Sequence, residues 1–144
     1  MGLLRTLKFP YQKLLIKDSC AKIHEVYRPL IPVHIIVGKN SLLSYGLIDS
    51  GADISLFDAA FCEKLGLILH KGKKQTLQGI GHGRITFFIH EIQIKIGTYQ
   101  VRTHVGFSKE ISHIPFGLLG QKGFFEKFRV AFNYPKKWIE VIQS

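Results

Sequence analysis

Short β-branched runs separated by tight-turn residues dominate this chain, and a pattern of period two broken by glycines leaves little room for anything but a sheet. Leu30-Ile31-Pro32-Val33-His34-Ile35-Ile36-Val37 is one such run, and Gly38-Lys39-Asn40 supplies its turn. Ser41 to Ile48 then reads as the returning strand of a hairpin. Pro29 and Pro32 place the beginning of the first strand at a sheet edge or bulge, because proline has no amide hydrogen to give a ladder. Arg84 to Ile96 is longer, and His90, Gln93 and Lys95 alternate only partly with Ile89, Ile92, Ile94 and Ile96. Gly97-Thr98 turns it back into Tyr99 to Phe107, a second hairpin. Arg129 to Phe132 and Trp138 to Ile142 flank Asn133-Tyr134-Pro135-Lys136-Lys137 as a further pair of strands.

Helical spacing is confined to two places. Between Ser55 and Gly66, Phe57, Ala60, Phe61 and Leu65 recur at helical intervals, Ser55 and Asp58 have capping-box-like spacing, and Gly66 is a natural stop. Lys122 to Phe128 is a second, shorter candidate, weakened by Gly123. Lys71-Gly72-Lys73-Lys74 reads as a solvated loop. The fold class expected is therefore mostly β: a single-domain, closed or nearly closed barrel with one or two short helices. Residues 28–144 form that domain, and residues 1–27 stand before it as an N-terminal segment to which the sequence assigns no role.

The 144 residues suit one domain, and 46% hydrophobic with 21% charged residues excludes a disordered chain. No apolar run approaches the roughly 18 residues that span a bilayer, so no membrane partner is expected. Arg5, Lys8, Lys13 and Lys17 interrupt Met1 to Cys20, which argues against a secretory signal. Met1-Gly2-Leu3-Leu4-Arg5-Thr6 matches the loose N-myristoylation pattern, a match too short to weigh. Cys20 and Cys62 form no framework and no ligand spacing, which points to a reducing, cytoplasmic compartment. The seven histidines build no His-x-x-x-His or Glu-x-x-His pair on a helix, and no Cys pair joins them, so no metal and no cofactor is expected. The net charge of +10 includes Lys71, Lys73, Lys74, Lys136 and Lys137 beside Trp138. These charges are dispersed along the chain, and a nucleic-acid role is not expected.

The chemistry concentrates at Leu47-Ile48-Asp49-Ser50-Gly51-Ala52-Asp53, where an apolar strand delivers a carboxylate into a tight turn. Ser50 adds a hydroxyl, and Gly51 permits a close approach that a side chain would forbid. Alone, Asp-Ser-Gly is a common turn composition. Here Gly79-Ile80-Gly81 comes some thirty residues on, with His82 and Gly83 after it, and Phe116-Gly117-Leu118-Leu119-Gly120 comes later still.

Over roughly Arg28 to Val141 these three ordered motifs resemble the retropepsin-like aspartic proteases, single-domain relatives of the retroviral enzymes. The resemblance implies that Asp49 is the catalytic aspartate. It implies that Ser50 joins two such loops at a dimer axis, that Gly51 lies against substrate backbone, and that Ala52 and Asp53 complete the loop, with Asp53 bracing it. Gly79, Ile80 and Gly81 would form the tip of a flap over the peptide. Leu118, Leu119 and Gly120 would pack beneath the catalytic loop as a supporting element. Many family members carry Arg after that element, able to pair with the aspartate matched by Asp53. This chain has Gln121, which can hydrogen-bond but lacks the charge.

Hydrolysis of a peptide without metal or covalent intermediate needs one group to activate water and another to protonate the carbonyl oxygen. Two carboxylates about 3 Å apart share a proton and fill both roles. The chain has one such motif, so the second carboxylate must come from another copy, and the expectation is a homodimer. The function expected is an aspartic endopeptidase acting on extended polypeptides. The alternative is a non-catalytic peptide-binding or assembly domain on the same fold.

Overall fold

The computed structural model describes residues 5–78 and 83–144. In chain order the strands are β1 (Leu7–Pro10), β2 (Gln12–Lys17), β3 (Ile23–Arg28), β4 (Leu30–Val37), β5 (Asn40–Ile48) and β6 (Leu56–Asp58). The helix α1 (Phe61–Leu65) and a 3-10 turn (Leu69–Lys71) come next. The chain continues with β7 (Lys73–Gln78), β8 (Arg84–Ile96), β9 (Tyr99–Ser108), β10 (Gly117–Leu119), β11 (Phe128–Asn133) and β12 (Trp138–Gln143). The expected mostly-β class holds.

Both long hairpins form where turn chemistry places them. β4 pairs with β5 from Leu30↔Leu47 to Val37↔Asn40, and Gly38 at the turn has φ 58. β8 pairs with β9 from Phe88↔Phe107 to Ile96↔Tyr99 around Gly97, which has φ 57. A positive φ at these corners is what glycine supplies without a steric cost. The main sheet runs β4-β5-β10-β6-β9-β8-β7, and β4 also pairs with β8 over His34–Ile36. That last pairing closes the path into a barrel and leaves β7 outside it, on β8. The half of β4 that holds Pro32 has β5 on one side only, as a residue without an amide hydrogen requires.

The partial alternation of β8 has a geometric cause. Phe87 and Ile89 point into a small cluster with Ile54, Leu56 and Ile111, whereas Ile92, Ile94 and Ile96 point into the main core. The buried face of the strand changes between Ile89 and Ile92, because this one strand serves two cores. Phe57, Phe107 and Phe124 anchor the main core at 0% exposure. Each such ring contributes roughly 1.5–3 kcal/mol by leaving water.

Three local expectations are corrected. The helix predicted over Ser55–Gly66 is only Phe61–Leu65, because Leu56, Phe57 and Asp58 pair in parallel with Gly106, Phe107 and Ser108. Ladder bonds and complete burial of Leu56 and Phe57 override the helical spacing of this stretch. Asp58 caps a turn instead, its Oδ1 accepting the Ala60 amide at 3.0 Å, and Gly66 ends the helix at φ 72. Lys122–Phe128 is a series of turns rather than a helix. Gly123 sits at φ 99 and its amide is taken by Glu126 Oε1 at 2.8 Å, which removes it from any helical ladder. Lys73 and Lys74, read as loop, open strand β7.

Ahead of residue 28, β1 joins β12 and β11 in a separate three-stranded sheet, and Leu7 and Phe9 pack against the main core. β2 and β3 form a hairpin of their own. At its tip the Asp18 carboxylate meets His24 and accepts the amides of Lys22 and Cys20, contacts that hold it below its usual value.

Cys62, on the buried face of α1, is 3% exposed; burial, and then the Asp58 carboxylate, push its thiol up to about 11 from 9.0. Cys20 is exposed. Iodoacetamide at mildly alkaline pH is therefore expected to label Cys20 and spare Cys62 in the folded chain, as read by peptide mass mapping. Equal labelling of the two would contradict this packing. Linkage sets the sign for stability. The folded thiol keeps its proton when the unfolded one has lost it, so this contribution is intact below pH 9.0 and is lost as pH rises towards 11.

Candidate active site

Asp49 stands where β5 leaves the sheet. Strand β10 runs parallel beside that end of β5, pairing Leu118 with Leu47 and Leu119 with Ile48. The residues after Ile48 are then bonded in succession to the residues after Leu118. Asp49 N donates to Leu119 O at 3.0 Å, Gln121 N to Ala52 O at 2.8 Å, and Lys122 N to Asp53 O at 3.0 Å. Ser55 N donates to Lys122 O at 2.8 Å, closing the loop. Backbone bonds along both sides of the loop fix the position of its carboxylate with little dependence on side-chain rotamers.

The carboxylate itself is oriented locally: Asp49 Oδ1 accepts the Gly51 amide at 3.0 Å. A Cβ at residue 51 would lie 3.2 Å from that oxygen, tighter than ordinary packing, which is why glycine serves here. Gly120 is a stricter case. A Cβ there would meet the backbone oxygens of Ala52 at 2.6 Å and Ile54 at 2.7 Å. Leu119 and Gly120 are buried and Leu118 is half-buried.

The outer edge of the loop faces solvent. Asp49 and Ala52 are half-buried, while Ser50, Gly51 and Asp53 are exposed. Gln121 does not reach Asp53; its Nε2 donates to the Ser50 carbonyl at 3.0 Å. Among the described residues the Asp53 carboxylate accepts no hydrogen bond, and its tie to the loop is its backbone oxygen. Gly79, Ile80 and Gly81, with His82, lie outside the described residues. Among the described residues no three of His, Cys, Asp and Glu converge as ligands would.

Ser55 was legible only as a helix cap. It is fully buried, and its Oγ accepts the Gly120 amide at 2.9 Å. A hydroxyl one step before an apolar strand carries no local signal for such a bond, which spans 65 positions of the chain. The small cluster of Ile54, Leu56, Phe87, Ile89 and Ile111, with Leu118 against it, begins directly after the loop and lines its flank with apolar side chains. One carboxylate on such a rim can act as base or as acid, but not as both within a single step.

No family model matches the sequence, and no curated protein matches it either. Solved structures do. A retropepsin-like aspartic protease from Rickettsia conorii superposes with a TM-score of 0.53, at 16% identity, covering 99% of this chain and 97% of that one. The EIAV protease in complex with an inhibitor matches with a TM-score of 0.46 at 26% identity, covering 74% of this chain and 88% of that one. The fold of this chain is retropepsin-like.

Proposed function

We propose that the protein is an aspartic endopeptidase, active as a homodimer in which each copy contributes one Asp49. The observation that carries this reading is the clamped loop with a half-buried carboxylate on a solvent-facing rim. A group fixed that firmly and left half open is suited to meet a symmetry mate across a two-fold axis. Beside its twin, Asp49 shares one proton; the ionised partner takes a proton from water and the protonated one gives its own to the substrate carbonyl oxygen. The pair titrates as a unit, so activity has a bell-shaped profile on the acid side.

Ser50, exposed beside Asp49, is placed in this reading to bond its counterpart, and Gly51 leaves room for substrate backbone. Asp53 and Ala52 line the loop's outer edge, where an extended peptide would lie and add itself as a strand. The apolar flank from Ile54 to Leu118 would receive its side chains. A groove of about 880 Å³ elsewhere on the chain does not include Asp49. That is consistent with a cleft of which one chain supplies only half. The neutral Gln121, and the Asp53 carboxylate without a bonded partner among the described residues, favour the second reading, a peptide-binding dimer without turnover.

Subunit mixing tests the dimeric mechanism. With random exchange, adding a threefold excess of Asp49→Asn chains to a fixed amount of the parent is expected to leave about a quarter of its cleavage of an unfolded polypeptide. Unchanged activity on mixing would mean that one chain is sufficient. A dimer by sedimentation that never cleaves would favour the binding reading.

A further inference from the structure

The groove of about 880 Å³ lies between the 69–71 turn, α1 and the outer face of β8. None of its lining residues belongs to the 49–55 loop or to β10. Its walls are apolar: Ile68, 48% exposed, faces it together with Leu67 and the half-buried Phe88. Its charged lining is Asp58, Glu63 and Glu110 against Lys109, with His70 on the 69–71 turn. On a chain whose formal charge is +10, three of the ten acidic residues converge on this one concavity.

These carboxylates are not consumed by internal pairing. Asp58 Oδ1 accepts the Ala60 amide and Glu110 Oε2 accepts the Thr86 amide, which leaves the second oxygen of each for a ligand. None of the three is in an ion pair among the described residues. A groove of this size, with apolar walls and carboxylates in its lining, fits a short run of bulky aliphatic or aromatic side chains with cations on either side. A lysine- or arginine-flanked apolar segment is attracted locally although the molecule as a whole repels it, so the groove gathers such a ligand to one place.

We propose that this groove is a docking site for a basic, apolar-anchored peptide segment of another protein, separate from the Asp49 site. The apolar anchor lies against Ile68 and Phe88, and the flanking cations meet Glu63, Asp58 and Glu110. Docking here requires no turnover at Asp49, so the site stands or falls independently of the proteolytic reading.

The test uses the full chain carrying Asp49→Asn, so that cleavage of the probe does not enter. The probe is a fluorescein-labelled Lys-Arg-Leu-Phe-Leu-Arg-Lys peptide, tracked by anisotropy, with a twin in which glutamates replace the cations. Ile68→Ser is expected to weaken the basic probe about tenfold at low and high salt alike. Glu63→Lys is expected to weaken it about tenfold at low salt, an effect that fades as salt screens the charges. Both positions are exposed, and unchanged melting temperatures would verify that the variants fold. Glu63→Gln, with an intermediate loss, separates charge from shape. Failure of the basic probe to bind, equal binding by all variants, or binding of the acidic twin as tight as that of the basic probe at low salt would overturn the proposal.

Discussion

Asp49→Asn is expected to lower peptide-bond hydrolysis by about four orders of magnitude, equivalent to ~5.4 kcal/mol of transition-state stabilisation. The size reflects losing both partners of a proton exchange at once. An amide neither holds the shared proton nor accepts one from water, and in a homodimer the substitution occurs on both sides. The fold should survive. The Asn oxygen can still accept the Gly51 amide that Asp49 Oδ1 accepts at 3.0 Å, and the loop's remaining ties are backbone bonds. Steady-state cleavage of an unfolded polypeptide, measured beside thermal melting, separates the two effects. Cleavage by Asp49→Asn at the parent rate would end the proteolytic reading, whereas loss of activity with loss of melting would say nothing specific about chemistry. For that reason the melting curve belongs to the same experiment.

Gly120→Ala is expected to be strongly destabilising for the addition of one methyl group. The new carbon would come within 2.6 Å of the Ala52 oxygen and 2.7 Å of the Ile54 oxygen, and both are backbone, unable to swing aside as a side-chain tip would. Relief requires the 49–55 loop to move away from β10. That separation stretches the bonds from Asp49 N, Gln121 N, Lys122 N and Ser55 N, and strips the buried Ser55 hydroxyl of the Gly120 amide. Overpacking at about 1–3 kcal/mol and buried polar groups left unpaired at about 1–3 kcal/mol together give roughly 4 kcal/mol. For a domain of this length that is a fall in melting temperature on the order of 10 °C. Gly83→Ala is the matched control, since among the described residues a Cβ there meets nothing within 4 Å. A Gly120→Ala variant that melts with the parent would show that the loop and β10 are not packed as described.

Much of this architecture was legible because it depends on neighbours in sequence. The β4–β5 and β8–β9 hairpins arise from an apolar run, a glycine able to take positive φ, and a second apolar run within reach. The Asp49-Ser50-Gly51 turn could be located from its own residues, whereas a supporting place for Leu118-Leu119-Gly120 came only from the resemblance of the three ordered motifs to a known family. The helix was misjudged at its start for a tertiary reason. Phe57 stands at helical spacing from Ala60 and Phe61, yet Leu56-Phe57-Asp58 pairs with Gly106 to Ser108, and a parallel ladder to a distant strand leaves no trace in a local period. Ser55 and Gln121 are of the same kind. A serine beside apolar residues and an amide after a glycine carry no sign of the Gly120 amide or the Ser50 carbonyl they bond.

Hydrophobic period and turn stereochemistry, both set by a few consecutive residues, thus determined the long hairpin strands, where they reverse, and which carboxylate stands at the head of a glycine turn. Only the tertiary structure decided that β10 slides in parallel beside β5, that β4 closes the barrel on β8, and that three carboxylates gather around one apolar groove. These arrangements join positions far apart in the chain. Their register is selected by which side chains can be buried together and which backbone amides can be satisfied at once, a condition on the whole molecule that no short stretch of it contains.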